Sequence, residues 1–103
     1  MSELREKRVK FTVALGRLIG FARAMEHEIA IAPDGETHME GSLHFIGLAK
    51  DFALYKDGIY LTKTEDYEFA GRFWESLNPD FRWGGDFKQP DGNHFSCTYQ
   101  GKS

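Results

Sequence analysis

Lys56-Asp57-Gly58 stands between two apolar runs, Phe45 to Tyr55 and Ile59-Tyr60-Leu61. An Asp-Gly pair in that setting is a strong hairpin signal, because both residues tolerate the positive φ that a tight two-residue turn demands. The middle of the chain is thereby committed to an antiparallel pair, and the flanking segments are read around it. From about Glu3 to Glu26 the sequence has helical periodicity, with Val9, Val13, Leu15, Leu18, Ile19, Ala22 and Met25 expected on the inward stripe. Glu28 to Ala32 suits a short strand ended by Pro33, and Asp34 to Ser42 reads as a polar surface loop. Thr64 is expected to cap a second helix carrying Tyr67, Ala70, Phe73, Trp74 and Leu77, which stops near Asn78-Pro79. Phe81 to Phe87 and His94 to Tyr99 read as strands around a Pro-Asp-Gly loop. The order helix, strand, hairpin, helix, strand, strand predicts an α+β fold: a small antiparallel sheet with two main helices.

At 103 residues the chain has room for one domain, taken as 1–103, with a modest stability margin that a bound metal would raise. An aromatic share of 15% supplies bulky side chains for a packed core and argues against disorder. The net charge of -3 gives no electrostatic footprint for nucleic acid. The basic residues Arg5, Lys7, Arg8 and Lys10 are interleaved with acids, as on a solvated helix face. A lone cysteine, Cys97, excludes an internal disulfide framework. No segment approaches the ~20 apolar residues that span a bilayer, so stable membrane insertion is not expected. The charged N-terminus lacks a signal-peptide pattern, so the expectation is synthesis in the cytoplasm and delivery by another agent.

Four histidines occur, at 27, 38, 44 and 94, and each alone is more often a surface or core residue than a ligand. Together they say more. His44 and Asp51 flank a strand entry, and Asp91 precedes His94 by three positions. Two imidazoles and a carboxylate are the ligand types of a catalytic zinc site that keeps a fourth position open. A base must still take a proton from the attacking water, and any loop placing His94 on the ion keeps Asp91 nearby.

These residues carry a resemblance. Ser42-x-His44-x-x-Gly47-x-Ala49-x-Asp51, Trp83-Gly84-Gly85-Asp86-Phe87 and Asp91-x-x-His94-Phe95 resemble the D-alanyl-D-alanine carboxypeptidase and L-alanyl-D-glutamate endopeptidase family, whose smallest members are phage endolysins. It covers roughly Gly41 to Phe95, and the joint occurrence of the motifs is specific. The resemblance implies a hedgehog/D-Ala-D-Ala-peptidase-like fold and one Zn²⁺ held by His44, Asp51 and His94. It also implies Asp91 as base and bacterial peptidoglycan peptides as substrate. A monomer released by lysis or a holin-like partner fits that picture. Trp83 would line the site, with the adjacent glycines admitting substrate backbone; the alternative is a core Trp beside a tight turn. Ser42 would bond near the metal or cap a turn, and Asp86 would orient a ligand histidine or form a turn.

One departure stands out. The family usually places an arginine between the first strand and the Ser-x-His motif, and none occurs from Glu28 to Ser42. His38 takes that substrate-binding part, or is an exposed loop residue while a group elsewhere does. The departure also keeps open a zinc-stabilised wall-binding module without turnover, and, more weakly, a structural protein with coincidental histidines. A Ser96/His94/Asp91 triad is disfavoured, since all three crowd one strand without a nucleophile elbow.

Overall fold

The computed structural model describes residues 2–33, 42–44 and 46–103. Helix α1 spans Glu3–Ala24, capped by the Ser2 side chain, which accepts from the Arg5 amide. Strands β1 (Glu28–Ile31), β2 (Ala49–Lys56) and β3 (Ile59–Tyr60) precede helix α2 (Glu68–Ser76), and β4 (Phe81–Trp83) and β5 (His94–Cys97) follow it. The sheet is antiparallel throughout, in the order β1-β2-β5-β4, with β3 added to β2. This is the expected α+β architecture of two helices on a small antiparallel sheet.

The hairpin forms where the Asp-Gly pair stands: Asp57 and Gly58 take φ of 52° and 78°, and Tyr55 pairs with Tyr60. Two expectations are corrected. The buried stripe of α1 is Phe11, Ala14, Leu18 and Ala22, whereas Val9, Val13, Ile19 and Met25 are exposed. The face that turns inward is the one that seats Phe11, whose ring meets Trp74 edge-on at 5.5 Å. Thr64 makes no capping hydrogen bond; it opens a 3₁₀ turn, Thr64–Tyr67, that leads into α2. Trp74 is fully buried at the centre, stacked on Phe81, and its indole N–H donates to the Ser96 carbonyl at 3.0 Å. One side chain thereby ties α2 to both β4 and β5.

Cys97 packs into this core, and burial pushes its thiol above the ordinary value, which suits an inert apolar role. No helix among the described residues is long and apolar enough to cross a membrane. His38 and the rest of 34–41 lie outside the described residues.

Candidate metal centre

Antiparallel pairing fixes the first two members of the site. β2 and β5 run in a register that sets Asp51 directly opposite His94, and the ladder continues as the Phe52 amide donates to the Asn93 carbonyl at 2.9 Å. Residues directly opposite each other have Cβ atoms about 5 Å apart, so the two side chains meet on one face of the sheet. The third member comes from the turn before β2. Leu43 and Leu48 are buried, and the Leu48 amide donates to the Leu43 carbonyl at 2.8 Å, closing the loop that carries His44. Gly47 takes φ of 78°, a conformation that favours glycine. Arg8 on α1 donates from Nε to the Ile46 carbonyl at 2.6 Å and pins this turn to the helix.

The three side chains converge. His44 Nε2 lies 3.2 Å from His94 Nδ1 and 3.4 Å from Asp51 Oδ1, and His94 Nδ1 lies 3.5 Å from the same oxygen. For ligands at 2.0–2.2 Å around a tetrahedral ion, neighbouring ligand atoms stand about 3.3–3.6 Å apart. The observed triangle has those dimensions. The Asp51 side chain is only 15% exposed, and its Oδ1 is buried with no hydrogen-bond partner among the described residues. An orphaned carboxylate oxygen facing two imidazole nitrogens is an arrangement a cation completes. The donor set and its spacing therefore fit zinc.

The outer support is less complete. His94 Nε2 is buried with no partner among the described residues, so strand register and packing against Phe87 orient the ring. Asp86, considered as an acceptor for a ligand histidine, is turned elsewhere. Both its oxygens accept from Arg72, one at 2.9 Å, and the guanidinium holds the Asp86 carboxyl below the usual carboxylate range.

Asp91 is exposed and is not a member of the ligand triangle. Its amide donates to the Gly84 carbonyl at 2.8 Å and its carbonyl accepts from the His94 amide at 3.1 Å, so a tight turn fixes it three residues ahead of His94. Gly84 makes that turn possible: a Cβ there would sit 2.3 Å from the Asp91 carbonyl oxygen. The glycines beside Trp83 thus make room for the chain's own parts and not, as expected, for substrate. At Gly85 a Cβ would strike the Trp83 ring at 2.2 Å.

Trp83 itself corrects the expectation that it lines the site. It is 2% exposed, packed against Gly71 and Gly85, and its indole N–H donates to the Gly92 carbonyl at 2.7 Å. It supports the Asp91–His94 turn from beneath. Ser42 is half-buried, and its carbonyl accepts from the Ile46 amide at 3.3 Å, at the start of the His44 turn.

Sequence reasoning missed Tyr67 and Lys63. The Tyr67 hydroxyl accepts from the Leu54 amide at 3.0 Å and donates to the Leu61 carbonyl at 2.8 Å. Burial pushes this hydroxyl above its ordinary pKa, so it remains a donor and fixes the segment after β3 against β2. That segment and the loop at 90–93 enclose a polar cleft of about 220 Å³, lined by Lys63 and Asp91 among others. Nothing local in the sequence signals a cleft assembled from two distant segments.

A family model described as D-alanyl-D-alanine carboxypeptidase matches residues 35–97, which include all three members of the triangle and Asp91. No curated protein matches the chain.

Proposed function

Because the chain belongs to the D-alanyl-D-alanine carboxypeptidase family of zinc peptidases, we propose that it hydrolyses a peptide bond in the stem peptide of bacterial peptidoglycan. The bond is of the L-alanyl-D-glutamate or D,D-carboxypeptidase kind, and the setting is cell-wall degradation by a phage or prophage endolysin. The observation that carries this reading is the triangle of His44, Asp51 and His94, with edges of 3.2–3.5 Å, inside the matched residues.

His44 Nε2, Asp51 Oδ1 and His94 Nδ1 would hold the ion. Zinc, when bound, supplies a Lewis acid that polarises a carbonyl and brings the pKa of a water ligand to about 7. The chain's own contribution to the chemistry is Asp91. Its carboxylate accepts a proton from the attacking water, and the same proton then passes to the amine nitrogen as the C–N bond breaks. Arg8, Trp83 and Gly84 keep the His44 and Asp91 turns in place, so that neither group must be positioned during the reaction.

The test is digestion of purified peptidoglycan with identification of soluble fragments by mass spectrometry. Release that stops with a chelator is expected, and Asp91→Ala is expected to keep its metal while losing about 10²–10⁴ in rate. Wall binding without soluble fragments would replace this reading with that of a zinc-stabilised binding module, the alternative raised by the missing arginine. A fully active Asp91→Ala protein would remove Asp91 from the mechanism.

A further inference from the structure

The cleft beside Asp91 has one cationic side chain in its lining, Lys63, and one anionic, Asp91. They form no ion pair, and among the described residues Lys63 has no side-chain partner at all. The remaining polar side chains of the lining, Thr62, Thr64, Asn93 and the hydroxyls of Tyr60 and Tyr67, are uncharged. Both walls are held firmly. The wall bearing Lys63 follows Leu61, whose carbonyl the buried Tyr67 hydroxyl grips. The opposite wall carries Gly92, whose carbonyl is held by Trp83. The walls meet closely where a Cβ on Gly92 would come within 2.8 Å of the Thr64 Cα. The second wall runs without a break into His94.

We propose that Lys63 recognises a free carboxylate flanking the scissile bond of an anionic peptide, which makes it a specificity-determining residue of this site. This rests on the peptidase reading above and deepens it. Lys63 is exposed and in no ion pair among the described residues, so its ammonium is available to an anionic occupant of the cleft, and it forms a charge-assisted hydrogen bond with a carboxylate that a carboxamide does not match. Asp91 lines the same cleft, on the segment that leads directly into His94.

The test uses two stem peptides identical except that one bears a free carboxylate and the other a carboxamide at that position. The zinc-loaded protein is expected to prefer the carboxylate form by about 10–100-fold in kcat/KM. In Lys63→Met the preference should fall toward one, chiefly through KM, and Lys63→Arg should restore most of it. Calorimetric titration of both peptides into zinc-loaded Asp91→Ala, with and without Lys63→Met, reads the same discrimination without turnover. Equal losses on both peptides, or no loss, would overturn the proposal. If no peptide is cleaved but binding still depends on Lys63 and the carboxylate, the peptidase reading falls and the subsite stands. If cleavage occurs with no dependence on Lys63, the reverse holds.

Discussion

Zinc added to the metal-free protein should raise its melting temperature by an amount that can be worked out. The three ligand atoms already stand at the spacing of a tetrahedral ion, so little of the binding energy goes into rearranging them. A ligand that binds only the folded state adds about 2.7 kcal/mol when its free concentration is 100 times Kd. For a chain of this length each kcal/mol corresponds to about 4–8 °C, so the expected rise is about 10–20 °C. Differential scanning calorimetry with buffered free zinc measures it, with metal content checked on the same samples. Asp51→Asn keeps the side chain's shape and removes the anionic ligand, so its melting point should respond far less to the same zinc. A wild-type melting point indifferent to zinc, or an Asp51→Asn protein that responds as strongly as wild type, would refute the reasoning.

Two other expectations concern the scaffold. Trp83→Phe leaves the buried Gly92 carbonyl unpaired and should cost about 1–3 kcal/mol in urea denaturation; it should also slow catalysis, because the Asp91–His94 turn loses its support. Arg72 lowers the pKa of Asp86 in the folded state, so their pairing contributes stability above the ordinary carboxylate range that is lost as pH falls through the depressed value. The stability difference between wild type and Arg72→Gln, followed by urea denaturation, should therefore be present at neutral pH and shrink towards pH 2; because the pair is solvent-exposed, the effect should be small and weaken with added salt.

The parts of the molecule legible in the sequence are those set by short-range chemistry or by spacing specific to the site. Asp57-Gly58 announces its turn because few residue pairs tolerate that backbone, and the ligand triangle was expected from residue types joined to a resemblance. The inward face of α1 is only partly legible: Leu18 and Ala22 are buried as expected, but the helix is apolar on more than one side, and contact with Trp74 decides that Phe11 and not Val13 is buried. Trp83 has the look of a substrate platform in sequence, and its burial follows from Gly71 on α2, where a Cβ would sit 2.2 Å from the indole. Asp86 lies close to His94 in sequence, yet Arg72 outcompetes the histidine for it. Such outcomes depend on distant packing, which local patterns do not encode.

His44 and His94 are 50 positions apart, and Asp51 reaches the second histidine only through the ladder between β2 and β5. Side chains alternate between faces along a strand, so a slip of that ladder by one residue would turn Asp51 or His94 to the opposite side. During synthesis the three side chains therefore cannot converge until β5 has docked on β2 in the right alignment. An ion bound by these three groups would then double as proofreading of the fold, since a misaligned chain would have nowhere to keep it.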